Sequence, residues 1–147
     1  MSKLIQALLT GIFFTFMLDG FLFIGILLNY IHLYEIPVYY NILFADHQCW
    51  LLFAALTILI GFITIYLDRI KITAIILGAM FAITALALIP SVGEALGANM
   101  LKTKNVTLQD ARYLYHGDIY YEGRDFYYMY DNELQKFITL YKKDIKK

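Results

Sequence analysis

One carboxylate stands inside the first long apolar run of this sequence. Asp19 is flanked by uncharged residues from Leu4 to Tyr34. An ionised carboxyl near the middle of a bilayer costs at least about 2.5–3.5 kcal/mol, so such a group must be protonated, hydrated or paired. On a helix it shares a face with Gly11, Thr15, Phe23 and Ile26, and Gly20 beside it lets another backbone approach. Several roles follow from that position. Asp19, with Thr15, could lock onto a partner's transmembrane helix. It could be a neutral acid hydrogen-bonded to Thr57 or Thr64, it could handle protons or ions, or it could border an aqueous crevice. No Lys or Arg lies within the apolar runs to serve as counter-ion, which favours a neutral acid or a cation brought by a partner.

A second group of reactive types is His32, Asp46, His47 and Cys49. Two imidazoles, a carboxylate and a thiol are a permissible set for zinc or copper. Their spacing matches no compact motif, so the expectation is interfacial side chains and no metal. Cys49 is the only cysteine, which excludes an intrachain disulfide and a thiolate cluster. His116 belongs to an expected turn. Glycine-rich phosphate loops, nucleophile elbows and zincin motifs are absent. The serines are Ser2 and Ser91 alone, which leaves no plausible triad. Asp118, Glu122 and Asp125 fall where turns are expected and are explained by solvation. No cofactor is expected, and no catalytic residue. Asn105-Val-Thr107 matches a glycosylation acceptor, a tripeptide too common to carry weight.

The elements that position these residues follow from composition. The chain is 61% hydrophobic, 17% aromatic and 16% charged, with mean hydropathy +0.61. A soluble domain carries about 25% charged residues, so the expectation is a mainly α integral membrane protein. Residues 1–98 hold Lys3, Arg69 and Lys71 against five acids, whereas residues 99–147 hold nine basic and seven acidic groups. This divides the chain into a membrane domain, 1–98, and a small wet domain, 99–147. With twelve basic and twelve acidic residues there is no footprint for nucleic acid.

Three transmembrane helices are expected, at about 8–30, 50–67 and 72–89, the last closed by Pro90. The first resembles a signal peptide but is too long for one, and reads as a retained anchor. The short connection Asp68-Arg69-Ile70-Lys71 predicts that spans two and three form an antiparallel hairpin. Small residues at Ala54, Thr57, Gly61 and Thr64 and at Ala74, Gly78 and Ala82 form stripes of the kind that let helix backbones meet in lipid. A permeation path lined by the same residues is the alternative. Residues 35–49, with Tyr34, Tyr39, Tyr40, Phe44 and Trp50 around them, predict an aromatic interfacial segment; a partner-docking surface is the alternative. Positive charge at Lys3, Arg69 and Lys71 predicts a cytoplasmic amino terminus and an extracytoplasmic carboxy-terminal domain. The Lys-rich tail argues mildly the other way.

After Pro90, Ser91 and Glu94 have capping-box spacing, and Val92, Leu96 and Met100 follow as an apolar helix face. Beyond residue 101 the sequence predicts a β-meander with strands near 111–115, 118–121 and 125–130, turning at His116-Gly117-Asp118 and Glu122-Gly123. Residues 133–145 fit a closing helix capped by Asn132, or a fourth strand. The whole layout resembles accessory subunits of bacterial inner-membrane complexes, an architectural likeness that assigns no residue a role. The expected function is a non-catalytic subunit of a respiratory, secretion or flagellar-motor type assembly. Its partners would be lipid, other membrane subunits or further copies of itself. The rival is a proton- or ion-handling element using Asp19.

Overall fold

A computed structural model describes residues 2–67, 69–110 and 112–146, with the backbone alone for Lys146. Helix α1, Lys3–Ile26, runs on through a π-helical turn, Leu27–Ile31. Four helices follow: α2, Tyr40–His47; α3, Trp50–Tyr66; α4, Ile70–Ala85, extended by a 3-10 turn, Leu86–Leu88; and α5, Pro90–Leu101. The strands are β1, Thr103–Asp110; β2, Leu114–Glu122; β3, Phe126–Asp131; β4, Lys136–Tyr141; and the two-residue β5, Ile145–Lys146.

Two helical segments, Lys3–Ile31 and Ile70–Leu88, are long and apolar enough to cross a membrane. The pair α2 and α3, bent by 87°, makes a third if it counts as one span. The 17 residues of α3 reach about 25 Å at 1.5 Å per residue.

The closest helix pair is α1 with α3, antiparallel. A Cβ on Gly11 would collide with the Thr57 carbonyl, and one on Gly61 with the Ala7 carbonyl. This corrects the expected hairpin. Helices α3 and α4 meet mainly near their link, where Thr73 Oγ1 donates to Ile63 O at 3.4 Å. Asp68, in that link, lies outside the described residues. The small stripe of α3 can close against only one neighbour. Ala7 and Gly11 of α1 take it, which leaves Ala74, Gly78 and Ala82 of α4 exposed, with no atom within 4 Å of a Cβ on Gly78. Helix α4 instead runs parallel to α1, with Phe81 between Phe14 and Phe21 at 6.2 and 6.0 Å. Where α4 ends, Ala87 packs on Gly25.

Helix α5 forms as expected, but its start and its phase differ. Pro90 occupies its first turn, where a missing N–H is harmless, and Ile89 stands at the cap. Glu94 is not the return arm of a capping box; it accepts from Tyr34 Oη at 2.8 Å. The buried face is Gly93, Gly97 and Leu101, one residue out of step with Val92, Leu96 and Met100. The glycines face Asn29 and Tyr30, side chains too bulky for any other residue opposite. Asn29 Nδ2 also donates to Ala87 O at 3.0 Å, tying the π-turn to the end of α4.

The antiparallel sheet has the order β4-β3-β2-β1-β5. Its first two strands differ from expectation. His116-Gly117-Asp118 is not a turn but lies within β2, whose length absorbs the two strands expected near 111–115 and 118–121. Ala111, where the first was to begin, lies outside the described residues. Gly117 serves close approach rather than turning, because the Tyr130 carbonyl occupies the place of a side chain. The pairing of β2 with β3 shifts register between Ile119 and Tyr121, but the strand does not reverse. The other turn does fall after Glu122, and β3 matches its expected place. Residues 136–141 form the fourth strand, not the closing helix. Asp131, not Asn132, caps the preceding turn, its Oδ1 accepting from the N–H groups of Glu133 and Leu134 at 2.8 Å.

The main core joins the two parts of the chain. Phe23, Ile26, Tyr30 and Ile31 meet Ile36, Leu43, Leu101 and Tyr121. The sheet therefore shares a core with the upper half of α1 and with α2.

Candidate functional site

Of the polar residues singled out in the sequence, Asp19, Asp46 and His47 lie where α1 passes the bend between α2 and α3. That bend exists because Gln48 and Cys49 are extended between two helices. It carries Gln48 back to α1, where its Nε2 donates to Asp19 Oδ2 at 2.9 Å. Asp19 is partly buried at the level where α3 begins. The expected partners do not reach it: Thr64 Oγ1 donates to Ile60 O within its own helix at 2.7 Å, and Thr57 Oγ1 has no partner among the described residues. One turn below Asp19, Thr15 is fully buried and its hydroxyl is likewise unpaired. Thr57 and Gly61 lie buried in the α1–α3 seam, whereas Ala54 is exposed.

Above the bend, α2 and the β2–β3 turn enclose an open cleft of about 480 Å³, lined by Asp46, His47, Glu122, Gly123, Arg124 and Lys142, with Ala45. Arg124 Nε and Nη2 both reach Asp46 Oδ1, at 2.7 and 2.5 Å, and Lys142 Nζ meets Glu122 Oε1 at 2.6 Å. Each cation is thus matched by a carboxylate, and the cleft is a neutral polar seam. His47 packs edge-on to Tyr121, 5.4 Å between ring centres. Burial pushes the His47 pKa down against the pull of Asp46 and Glu122. Burial, with Asp46 nearby, pushes the Tyr121 pKa up to about 12. Asp46 Oδ2, His47 Nε2, Gln48 Oε1 and Tyr121 Oη are buried without hydrogen-bond partners among the described residues.

The suspected metal set does not assemble. His32 and Cys49 are exposed, Asp46 is held by Arg124, and no three His, Cys, Asp or Glu side chains among the described residues converge on one point. His116 Nδ1 pairs with Thr107 Oγ1 at 2.8 Å across β1 and β2.

A tyrosine clamp beside the cleft was not foreseen. Tyr30 Oη donates to Tyr120 O at 2.9 Å and Tyr128 Oη to Tyr34 O at 3.1 Å, so the end of α1 and the sheet hold each other reciprocally. Tyr34 stacks edge-on with Tyr120 at 4.6 Å. Its bond to Glu94, then its burial, push its pKa up to about 12. Lys102 closes the joint, reaching Tyr120 Oη at 2.9 Å and Asp118 Oδ2 at 3.1 Å. Burial works against its ammonium, but these two partners outweigh it and raise the pKa. The Asn105 N–H, then Lys102, hold Asp118 below the usual carboxylate range. The available signal was the glycine pair Gly93 and Gly97, whose spacing of four marks a face that something approaches closely; that Asn29 and Tyr30 fill it was not readable.

Comparison with known protein families, with characterised proteins and with solved structures finds no match in any of the three.

Proposed function

We propose that this chain is an integral membrane protein that acts as a non-catalytic assembly subunit of a larger complex, placed in a bacterial inner membrane with its amino terminus cytoplasmic and its sheet outside. The observation that carries the reading is the uncovered small-residue face of α4. In lipid, helices associate by close packing of such residues. Thr57 and Gly61 in the stripe of α3 are closed by α1, whereas Gly78 has nothing within 4 Å, and Ala74 and Ala82 are exposed. The clamped sheet would then hold a docking surface at fixed orientation. Asp19, tied to Gln48, would fix the register of α1 against the bend. The test is purification of the tagged chain from its native membrane in mild detergent. A partner that co-purifies with wild type and is lost from Gly78→Leu supports the role. A chain that leaves membranes in carbonate, or partner recovery unaltered by Gly78→Leu, refutes it.

A second reading, a proton- or ion-handling element, draws on the Thr15 hydroxyl one turn from Asp19 and the Oε1 of its partner Gln48, both buried without hydrogen-bond partners among the described residues. Asp19→Asn separates the two. Loss of flux in reconstituted vesicles with assembly intact favours the element; intact flux with weakened assembly favours the subunit.

A further inference from the structure

We propose that β4 is a docking edge for a second copy of this chain, joined strand to strand in an antiparallel pair centred on Thr139. This deepens the assembly reading by naming a partner.

Strand β4 ends the sheet, with β3 its only neighbour among the described residues. The phase of its hydrogen bonding can be read directly. The Lys142 N–H donates to Asp125 O at 2.9 Å, and Phe126 stands opposite Tyr141. The 125/142 pair is therefore of the hydrogen-bonded type, and alternation gives the same type to 127/140, 129/138 and 131/136. The N–H and C=O groups of Phe137, Thr139 and Tyr141 consequently point away from β3, along the free edge. Edge strands are ordinarily guarded by charge, proline or a bulge. Phe137-Ile138-Thr139-Leu140-Tyr141 has no charge and no proline, and its register with β3 is unbroken. Phe137 and Tyr141 are 36% and 54% exposed.

The edge is complementary to itself. A two-fold axis through an antiparallel pair lies perpendicular to the sheet, so residues of like parity face each other. With Thr139 opposite the partner's Thr139, Phe137 falls opposite the partner's Tyr141. Every outward N–H then meets an outward C=O. One face gains two aromatic pairs around a threonine pair, and the other sets Ile138 opposite the partner's Leu140; cross-strand pairs of these kinds are favourable. A centre on Ile138 or Leu140 would bring inward-pointing amides to the joint. Just beyond the pairing, Lys136 comes opposite the partner's Lys142, whose charge Glu122 already matches.

The two copies also share one orientation. Tyr34, at the end of α1, touches Tyr120 of β2 and Phe137 of β4, while Tyr128 of β3 bonds its carbonyl. The sheet thus packs against the chain at the end of α1, and two copies joined through it enter one bilayer only if the two-fold axis lies along the membrane normal. On this point alone the proposal rests on the membrane reading, because one bilayer demands such an axis.

The test uses the full chain with Cys49→Ser as background. Across a hydrogen-bonded antiparallel pair the Cα atoms are about 5.5 Å apart, within reach of a disulfide. Thr139→Cys should give a covalent dimer on mild oxidation in reconstituted vesicles. Lys136→Cys should not, since six residues at about 3.4 Å each put it about 20 Å from its copy. Thr139→Pro removes an outward donor without breaking a bond to β3, and Thr139→Lys sets like charges face to face. Both should halve the native mass of the wild-type particle in mild detergent and keep its circular dichroism. A monomeric wild type in detergent, no Thr139→Cys cross-link in vesicles, or equal cross-linking at position 136 would overturn the proposal. A dimer that forms although carbonate strips the chain from vesicles would sink the membrane reading and leave this one standing.

Discussion

Truncating Tyr30 tests whether the sheet is fastened to α1 or merely lies beside it. The side chain is fully buried, its hydroxyl is bonded to Tyr120 O, its ring meets Tyr34 at 5.0 Å, and Gly97 presses on its Cβ and ring. Tyr30→Phe keeps the packing and leaves one buried carbonyl without its donor, at a cost of about 1–3 kcal/mol. Tyr30→Ala also removes the ring and opens a cavity, which for aromatic residues costs about 3–5 kcal/mol. The joint can be read by trypsin at Lys102 and Lys104, between α5 and β1, because cleavage there requires Lys102 to leave Asp118 and Tyr120. Where opening is fast, the cleavage rate follows the population of the open form. At about 1.4 kcal/mol per tenfold, Tyr30→Phe should speed cleavage about five- to a hundredfold, and Tyr30→Ala more than a hundredfold. Cleavage of Tyr30→Ala within twofold of wild type would show that the sheet holds itself together without α1, and the shared core would not be what stabilises it.

The helix seam gives a sharper contrast. Gly11→Leu and Gly61→Leu push a side chain into a facing carbonyl and should lower the denaturation midpoint in detergent by an amount worth about 1–3 kcal/mol or more, whereas Gly78→Leu should leave that midpoint unchanged. At Asp19, the double-mutant cycle of Asp19→Asn with Gln48→Leu should show a coupling of about 0.5–3 kcal/mol; additive effects would mean that the 2.9 Å bond contributes nothing. Alkali supplies another test. Tyr34 and Tyr121 are pushed up to about 12 from the usual 10, so the folded state favours their protonated forms. Their contribution is fully present below pH 10 and is lost as pH rises from there through about 12. Denaturation midpoints should fall over that window, less so in Tyr34→Phe, and a midpoint flat from pH 9 to 12 would refute the assignment.

What the sequence made legible was governed by local signals. Apolar runs and Pro90 placed the long helices to within a few residues, because lengths of uninterrupted apolar chain leave few alternatives. The separation into a helical part and a strand-rich tail followed from where charge begins at Lys102. Pairing was not legible. Gly61 and Gly78 look equivalent as letters, yet one is buried and the other open, because which small stripe closes depends on a third helix. In the tail, Gly117 carries two meanings, turn or close approach, and only the position of Tyr130 on another strand decides between them. The same limit explains residues 133–145. Leu134, Phe137, Ile138 and Tyr141 fit a helical period, but Phe137, Thr139 and Tyr141 alternate with Ile138 and Leu140 equally well. The free edge of β3 and the Asp131 turn settled it.

Asp19 shows how a tertiary contact changes the meaning of a residue. Read along the sequence, it sits near the centre of its apolar run and belongs at mid-depth in lipid, where an acid is costly enough to demand a function. In the fold it stands beside Gln48, two residues before α3 begins. If α3 spans the hydrocarbon, its first turn marks one boundary, and Asp19 lies at that boundary rather than midway along. The energetic argument for proton handling weakens in proportion, since the cost of a charge falls towards the interface. The argument for a structural hydrogen bond within the chain, rather than a lock onto a partner's helix, strengthens, because the amide that meets the carboxylate comes from the segment that must turn through 87° between α2 and α3. Holding that bend against α1 fixes the angle at which α2 leaves, and α2 carries Asp46 to Arg124 of the sheet. A single acid near the boundary thus connects the register of the helices to the seat of the sheet, a structural duty that requires no proton to move.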